Sequence, residues 1–492
     1  MKILMVSAEA VPFAKTGGLA DAVSALAGNL SKLGHDVKIV LPRYYKIDRS
    51  KLTLLDGPLG VPVGMGQEWA GVYTAKLPGF NKVDVYFLDH ELLFGRDGVY
   101  GTKAEPDFFD NPYRFSFLAH GAFQLCNKLH WIPDIVHAHD WSAGLVPVLL
   151  KHVCRTQEAY RNTASVFTIH NMGYQGVYGK EKFSDLGIDW GLYYGAGFER
   201  NGAINFLQAG ISCADMVTTV SPTYAKEIQT AEGGFGLDGL LRVRSDVVKG
   251  IVNGVDVSTW NPATDKLLPA NYSAKDMSGK AACKKALQEA FGLPVRADVP
   301  VVGLVSRLVS QKGVAEIFAP TYGSLYRMCT TMDMQFVMIG TGEKWCEDEI
   351  NNLQSKLPNF RALIGYSEAK SHLIEAGSDF FLMPSQYEPC GLNQMYSLLY
   401  GTLPIVRRTG GLADTVQNYN ELTGEGTGFM FDQLTPQAVY DTVGWAIYAY
   451  YNKKKHITAM QKRGMQQDFT WENSCKQYEA VYTEALSRGC GK

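Results

Sequence analysis

Short apolar runs that end in polar or glycine residues recur along this chain of 492 residues. The first run, residues 2–8, predicts a buried strand, and residues 19–33 then carry apolar side chains at helical spacing until Gly34. A second strand is predicted at residues 36–41. The chain therefore opens with a strand, a turn that contains two glycines, a helix and a strand.

The same alternation continues through the first half of the chain. Repeated strands with helical connections predict a largely parallel sheet that is covered on both faces. Residues 45–110 are rich in turns and aromatic side chains, and an acceptor-binding role for them is a hypothesis. The further strand-like runs are residues 83–88, a run from residue 134, and residues 164–169, 216–220 and 248–252.

A second α/β region is predicted after a polar segment, in line with a length that favours two domains. Residues 257–298 mix proline, aspartate, lysine and serine with a charged helix at residues 280–291. We therefore place the hinge near residues 253–262, and strand-like runs resume at Val299. The predicted divisions are residues 1–254, residues 255–470 and a last helix in residues 471–492.

Residues 380–416 join two candidate functional clusters. An apolar run leads to Glu388 in a polar loop, and a second strand-like run leads to a Thr-Gly-Gly-Leu turn that opens a helix. Ligands of open α/β sheets lie beyond the carboxyl ends of strands. The carboxylate and the glycine turn are therefore predicted to face the same crevice.

The heptad at that turn, Arg408–Asp414, has a near copy at Lys15–Asp21 that differs only in lysine for arginine. Each copy offers backbone N–H groups, a helix N-terminus and a basic residue to an anion such as a diphosphate. An ordinary loop-to-helix turn is the alternative for either copy alone. We expect the two copies to be facing halves of one anion site. The motif differs from G-x-G-x-x-G, which disfavours NAD.

Composition argues against several kinds of partner and against a structural metal site. A formal net charge of −2 without a basic cluster disfavours nucleic acid and acidic membranes as partners. Nine scattered cysteines without a C-x-x-C pair are typical of reduced thiols in a cytosol-like compartment and argue against structural zinc. No apolar run reaches the length of a membrane span, and no signal-peptide pattern precedes the first strand.

Four motifs occur in one order along the chain: KTGGLADAV, SRLVSQKG, SQYEPCGLNQ and RRTGGLADTV. Together they resemble the bacterial and plant glycogen (starch) synthases that use ADP-glucose, glycosyltransferase family 5, over nearly the whole chain. The resemblance implies the α/β GT-B fold, in which two doubly wound Rossmann-like domains face each other across a deep cleft. It also implies that the last helix crosses back to the first domain.

The activity implied by the resemblance is a retaining transfer of glucose from ADP-glucose to the non-reducing 4-hydroxyl of an α-1,4-glucan such as glycogen, starch or a maltooligosaccharide. No metal or other cofactor is expected. The implied location is the cytoplasm, or the plastid stroma or starch granule if a transit peptide has been removed. The sequence predicts no oligomeric state and leaves the choice between ADP-glucose and UDP-glucose open.

Five residues are predicted to carry the chemistry. Arg307 and Lys312 follow a predicted strand end, where a joint phosphate clamp explains them better than a solvated surface role. Glu388 is assigned to the glucose hydroxyls. The resemblance implies that Asp140 and His170, including the backbone carbonyl of His170, face the transferred glucose; without it, a satisfied polar residue would be the better interpretation of the histidine.

Substrate binding is assigned to residues on the same turns and strand ends. Tyr366 is a candidate to stack on the nucleotide base, with a core tyrosine as the alternative. For Cys390, beside the carboxylate, packing explains the thiol better than nucleophilic chemistry. The assigned residues are Glu9, Lys15, Gly17, Gly18, Asp21, Asn253, Gly340, Tyr366, Cys390, Gly391, Leu392, Thr409, Gly410 and Gly411.

A metal site is the alternative for His137, His139 and Asp140, because His-x-His-x-Asp-His opens many dinuclear zinc sites. Trp141 and Ser142 stand where that pattern requires aspartate and histidine, which disfavours it. The aspartate is also expected to cap the helix that follows.

Two other function classes remain open. One is another GT-B enzyme, such as an epimerase or a transferase that makes a small disaccharide. The other is a non-catalytic glucan-binding protein of granules, against which the polar clusters in both halves argue.

Overall fold

The chain divides into two units in a computed structural model that describes residues 1–489. Unit 1 comprises Met1–Gly254 together with the final helix, Trp471–Gly489. Unit 2 comprises Val255–Thr470. The chain thus leaves unit 1 once and returns to it for its last helix. Within the described residues, no helix has the length and apolar character needed to cross a membrane.

The regular elements alternate along both units. The strands are β1 (Lys2–Val6), β2 (Asp36–Pro42), β3 (Thr53–Leu54), β4 (Leu59–Val63), β5 (Gly66–Leu77), β6 (Phe80–Asp89), β7 (Ile135–His139), β8 (Ala164–Ile169), β9 (Val177–Gly179), β10 (Glu199–Arg200), β11 (Ala203–Asn205), β12 (Met216–Thr219), β13 (Val248–Gly250), β14 (Val301–Leu308), β15 (Gln335–Gly342), β16 (Phe360–Ile364), β17 (Phe380–Met383), β18 (Leu403–Arg407) and β19 (Phe429–Phe431). The α-helices are α1 (Gly18–Lys32), α2 (Glu91–Phe94), α3 (Asn111–Lys128), α4 (Leu145–His152), α5 (Leu192–Gly195), α6 (Phe206–Cys213), α7 (Pro222–Glu227), α8 (Asp238–Val243), α9 (Ser278–Ala290), α10 (Val314–Phe318), α11 (Ser324–Thr331), α12 (Lys344–Lys356), α13 (Glu368–Gly377), α14 (Asn393–Leu399), α15 (Gly410–Thr415), α16 (Pro436–Asn452), α17 (Lys454–Met465) and α18 (Trp471–Gly489).

Unit 1 is built on a ten-stranded sheet in the order β13-β12-β8-β7-β1-β2-β6-β5-β3, with β4 paired to β5. From β13 to β6 the neighbours are parallel. The central strands β1, β7 and β8 are almost completely buried, as expected for apolar strands covered by helices on both faces. The predicted parallel sheet is present.

Residues 45–110 contain more structure than the sequence indicated. Strands β3, β4 and β5 precede β6, and β5 pairs antiparallel with β3, β4 and β6. Much of β5 is only partly buried, so its residues form no continuous apolar run. One-sided antiparallel strands of this kind carry a weaker sequence signal than buried parallel ones.

Unit 2 is a sheet of six parallel strands in the order β16-β15-β14-β17-β18-β19. Its apolar strand residues pack with helices α10, α11, α12 and α16 in one large core. This strand order is that of a doubly wound Rossmann sheet. The central strands of unit 1, from β6 to β12, follow the same order.

Gly340, one of the residues assigned to substrate binding, does not lie in a turn. Gly340 lies inside β15, which continues to Gly342, and pairs with Ser306 on one side and Ile364 on the other. A Cβ atom at this position would lie 2.3 Å from the carbonyl oxygen of Ser306. The glycine therefore permits close strand pairing, and its predicted substrate-binding role stays a prediction.

The last helix, α18, packs on α1 and β8 of unit 1. Glu479 Oε1 lies 2.8 Å from the Nε2 atom of His35, and Ser474 Oγ donates to the carbonyl of Val252 at 2.7 Å. The buried hydroxyl of Tyr482 lies 2.9 Å from Nδ1 of His137, the middle residue of β7. The helix is thereby fixed beside the strand ends that carry the candidate site of unit 1.

Candidate active site

Each doubly wound sheet reverses its strand order between two neighbouring strands, and ligands bind in the crevice at such a point. The reversal lies between β1 and β7 in unit 1, and between β14 and β17 in unit 2. Polar loops follow all four strands. The two reversal points are therefore the candidate sites, one in each unit.

In unit 2 the loop after β17 carries Glu388, whose side chain is 6% exposed. Its Oε2 atom accepts hydrogen bonds from Lys312 Nζ at 2.5 Å and from Ser385 Oγ at 2.9 Å. Lys312 lies in a short 3₁₀ turn that follows β14. The ends of β14 and β17 thus bring an ammonium group and a carboxylate into contact. In this structure Lys312 binds Glu388, whereas the sequence predicted that it binds a phosphate group.

A cavity of about 160 Å³ opens at these strand ends. Arg307, near the end of β14, is exposed, and its guanidinium has no hydrogen-bond or ion-pair partner among residues 1–489. An unpaired guanidinium beside a cavity is suited to bind an anionic ligand. The cavity is lined by Leu304, Val305, Ser306, Arg307, Lys312, Leu382, Met383, Pro384, Ser385, Glu388, Gly391, Leu392 and Asn393.

The glycines of the second heptad serve a different purpose from the one predicted. The N–H group of Gly411 donates to the carbonyl oxygen of Glu388 at 3.0 Å, so the expectation that it faces a diphosphate is wrong. A Cβ atom at Gly410 would lie 1.9 Å from that carbonyl oxygen, and one at Gly411 would lie 1.9 Å from the carbonyl oxygen of Cys390. Both glycines, together with the buried Thr409, pack under the loop that carries the carboxylate.

Tyr366 and Cys390, two further residues of unit 2 assigned to substrate binding, differ in their exposure to solvent. Tyr366 is 81% exposed, which excludes the core role that was its alternative and leaves its ring accessible to a base. Cys390 is buried, which suits packing. The side-chain amide of Gln394 donates to the backbone carbonyls of Cys390 and of Gly391, whose φ is +71°. This amide fixes the end of the loop.

In unit 1 Asp140 ends β7 with a φ of +58°, a conformation that residues other than glycine rarely adopt. Its side chain makes no cap to the turn that follows, so the predicted helix cap is wrong. Oδ1 accepts a hydrogen bond from the N–H group of His170 at 2.7 Å. The carboxylate thus joins the ends of β7 and β8 and fixes the backbone at His170.

Burial also changes the protonation of these groups. Desolvation raises the pKa of Asp140 to about 7, although hydrogen bonds from the backbone N–H groups of His170 and Asn171 lower it, and the charge of Glu9 adds to the rise. Burial lowers the pKa of His170 to about 3. The histidine is therefore a neutral imidazole at neutral pH, and Asp140 can change its charge there.

Three histidine rings line the ends of β7 and β8. His139 Nδ1 lies 3.1 Å from His170 Nε2, and the His137 ring is tilted over His139 with their centroids 4.1 Å apart. Both ring nitrogens of His137 contact hydroxyl groups, Tyr482 at 2.9 Å and Thr168 at 2.6 Å. Within residues 1–489, no cluster of three histidine, cysteine or carboxylate side chains is placed to hold a metal ion.

The first glycine turn, after β1, is organised by Glu9, which is 2% exposed. Its carboxylate accepts hydrogen bonds from Thr16 N, from Thr16 Oγ1 at 2.7 Å and from Tyr100 OH at 2.9 Å, with a longer one from Gly17 N at 3.3 Å. The predicted substrate-binding role of Glu9 stays a prediction, since all of these contacts lie within the protein. The carboxylate holds the turn, and the Gly17 amide points toward it.

Four other residues of unit 1 complete the predicted set. Lys15 is exposed and its Nζ donates to Asp21 at 2.8 Å. A Cβ atom added at Gly18 would meet no other atom within 4 Å, so this turn is open. Asn253 is buried after β13.

Sequence reasoning missed Ser385 and Tyr100, which bond to Glu388 and Glu9. Ser385 had a usable signal, because it is a polar residue shortly after a predicted strand end and three residues before the carboxylate. Tyr100 had none, because it lies in the turn-rich region that gave no pattern.

Comparison with known proteins gives the family. Residues 2–243 match the family model described as starch synthase catalytic domain, and residues 287–463 match glycosyl transferases group 1. A glycogen synthase of Treponema denticola is 59% identical over 488 residues, which are 99% of each chain. The chain belongs to the glycogen and starch synthase family. Glycogen synthase 1 of Geobacter metallireducens is 46% identical over 100% of this chain and 97% of that protein.

Solved structures agree with this membership. The catalytic domain of starch synthase IV from Arabidopsis thaliana, bound to ADP and acarbose, has a TM-score of 0.88 and 33% identity over 99% of each chain. A sucrose-phosphate synthase of Thermosynechococcus elongatus, at 16% identity and a TM-score of 0.60, shares the fold. The GT-B fold class and the synthase activity predicted from the motifs are confirmed. This glycogen synthase family member is a glucosyltransferase that elongates glycogen or starch from a nucleotide sugar.

Proposed function

We propose that this glycogen synthase family member takes ADP-glucose as its donor and transfers glucose, with retention of configuration, to the non-reducing 4-hydroxyl of an α-1,4-glucan. The observation that carries the proposal is a pair of basic residues, Arg307 and Lys312, beside one cavity of unit 2. Arg307 has no hydrogen-bond or ion-pair partner among residues 1–489, and Lys312 donates a hydrogen bond to Glu388. The related starch synthase IV domain was solved with ADP, which supports the choice of nucleotide.

Arg307 and Lys312 have complementary parts in this reaction. Transfer of glucose leaves a diphosphate whose charge must be stabilised as the bond to the sugar breaks. Arg307 can offer a planar pair of N–H donors to a phosphate group. Lys312 shares its charge between the leaving group and Glu388, so the carboxylate is oriented toward the glucose hydroxyls by the residue that contacts the phosphate.

No metal ion enters the proposal, because these two cations supply the positive charge that a divalent ion gives other transferases. No other cofactor is required for the transfer.

In unit 1 we assign Asp140 and His170 to the sugar. The carboxylate holds the N–H group of His170 and so fixes the direction of the backbone at the end of β8. A carbonyl group fixed in this way can face the anomeric carbon as positive charge develops on it. We place the glucan acceptor at unit 1 and assign Tyr366 to the adenine base, which its exposed ring can stack on.

A donor-competition assay tests the proposal. Purified protein, treated exhaustively with EDTA, is given radiolabelled ADP-glucose or UDP-glucose with glycogen, and incorporated label is counted. We expect incorporation from ADP-glucose at least about tenfold faster than from UDP-glucose, a difference of about 1.4 kcal/mol in barrier height. Preference for UDP-glucose contradicts the donor assignment, and activity that returns only with added manganese or zinc contradicts the metal-free assignment.

The cytoplasm is the proposed location. Relatives such as those of Treponema and Geobacter are bacterial, and a plastid location gains no support from them.

A further inference from the structure

The His137–His139 pair is the one motif that the sequence singled out and the proposed function does not use. Both rings are fully buried on β7, and the ring of His139 lies next to the predicted sugar-contacting His170. Burial lowers the pKa of His137 to about 3 and that of His139 well below its ordinary value. Both are therefore neutral imidazoles, in which one ring nitrogen donates and the other accepts.

The contacts of His137 define its tautomer. Tyr482 is fully buried, and its hydroxyl has only His137 Nδ1 within hydrogen-bond distance among the described residues. A phenol that accepted from this ring would leave its own buried O–H group unpaired, which is unfavourable. Tyr482 therefore donates to Nδ1, and Nε2–H of His137 donates to Thr168, which lies 2.6 Å from Thr218. This chain of hydrogen bonds holds the ring against which His139 packs.

His139 has one polar contact, its Nδ1 at 3.1 Å from His170 Nε2. In the described part of the chain, no group lies within hydrogen-bond distance of His139 Nε2. If Nε2 carried the proton, a buried N–H donor would have no acceptor. In the other tautomer Nε2 is an acceptor without a donor. Buried donors without an acceptor are rarer in proteins than buried acceptors without a donor. The proton of His139 is thus placed on Nδ1 and points at His170.

We propose that His139 is a positioning residue that fixes His170 in the tautomer with its proton on Nδ1. Because Nε2 of His170 accepts from His139, the remaining nitrogen must carry the proton of the neutral ring. His170 then offers an N–H donor to an oxygen atom of the transferred sugar. This inference rests on the proposed sugar-contacting role of His170, and it assigns a function to the buried histidines and to Tyr482 of α18.

Three substitutions of His139 separate hydrogen bonding from packing. Asparagine can place an N–H donor near the position of Nδ1, glutamine extends past it, and phenylalanine keeps the ring shape without a donor. We expect His139→Asn to keep kcat within about threefold of wild type, and His139→Phe and His139→Gln to lower it about tenfold. A packing role predicts the opposite order, with phenylalanine best. His152→Asn and His152→Phe, on α4 of unit 1, are the matched controls and should leave kcat unchanged.

Nitrogen-15 NMR of histidine-labelled protein reads the tautomer directly. Two-bond nitrogen–proton correlations of His170, assigned by their absence in His170→Asn, should show Nδ1 protonated in the wild type and a mixture of tautomers in His139→Phe. Thermal unfolding confirms that each variant is folded. A wild-type proton on Nε2, or a phenylalanine variant more active than the asparagine variant, overturns the inference. If the wild type transfers no glucose, the proposed function fails while the wild-type spectrum still decides the tautomer.

Discussion

The heptads Lys15–Asp21 and Arg408–Asp414 differ at one position, yet they differ in burial and in the hydrogen bonds around them. In unit 1 the glycines are exposed and open a helix of 15 residues, and a buried carboxylate, Glu9, holds the turn from the side. In unit 2 the glycines are buried against the Glu388 loop and open a helix of 6 residues. The basic residue pairs within the heptad in the first copy and with Asp432 in the second.

One local motif thus serves two purposes after strands of two similar sheets, β1 in unit 1 and β18 in unit 2. Glycine lacks a Cβ atom, which permits either an open approach by a ligand or a close approach by the protein's own backbone. In the second copy the protein's own carbonyl groups fill the space. Only the first copy keeps an open glycine turn that a ligand can reach.

The largest effect is expected for Gly411→Ala. Its new methyl group would lie 1.9 Å from the carbonyl oxygen of Cys390, so the loop must shift, at a cost of about 3 kcal/mol or more in the free energy of unfolding. Gly18→Ala meets no atom and removes a flexible helix residue, so it should be neutral or stabilise by up to about 1 kcal/mol. Denaturant unfolding measures both. Equal losses in the two variants would show that the turns are equivalent after all.

Glu388→Gln should lower kcat by about a hundredfold or more, since it removes the charge that faces Lys312 at the cavity. Glu9→Gln keeps an acceptor oxygen for the turn, so a fall of about tenfold at most is expected. Steady-state kinetics with glycogen measures both, and ADP affinity should change little in either.

The control for this pair is Glu368→Gln, on the exposed start of α13. Turnover of Glu388→Gln within about threefold of wild type, about 0.7 kcal/mol, would remove the carboxylate from the catalytic set.

Lys15→Ala should weaken binding of the nucleotide sugar about tenfold, because a charge-assisted contact to phosphate contributes about 1.5–3 kcal/mol. Arg408→Ala should change affinity less than twofold, since the arginine forms an exposed ion pair with Asp432. Isothermal titration calorimetry gives both constants. A larger loss for the arginine variant would reverse the assignment of the open turn to ligand binding.

The smallest effect is expected for the pH dependence of stability that Asp140 causes. Whereas Glu388 pairs with a cation, this buried carboxylate accepts hydrogen bonds from backbone N–H groups. Its pKa of about 7 exceeds the ordinary 3.8, so between these values the folded protein binds the proton more tightly and stability falls as the pH rises. Asp140→Asn removes this dependence. Relative to wild type, the variant should gain at least about 1 kcal/mol in unfolding free energy from pH 4 to pH 8. Parallel stability curves for the two proteins would show that the carboxylate titrates normally.

Sequence reasoning went furthest for buried strands and for residues at their ends. β1, β8 and β14 were predicted from apolar runs, and Glu388 was singled out by its place after a strand. His170 was assigned to the site by the family resemblance. The antiparallel strands before β6 were missed because their residues are only partly buried. The sequence put Lys280 on a charged helix, yet it is buried, and its Nζ donates to the Ala376 and Tyr400 carbonyls and to Thr402.

The buried parallel strands, the two-part organisation and the family can be read from the sequence alone, because they depend on periodic patterns and motifs among residues close in the chain. Which side chains come into contact depends on the folded structure. Lys312 and Glu388 are 76 positions apart, and His139 and His170 are 31 apart. No local pattern encodes such distances, since the doubly wound sheet brings these strand ends together. The same reason explains why one heptad became an open turn and its copy a packing surface.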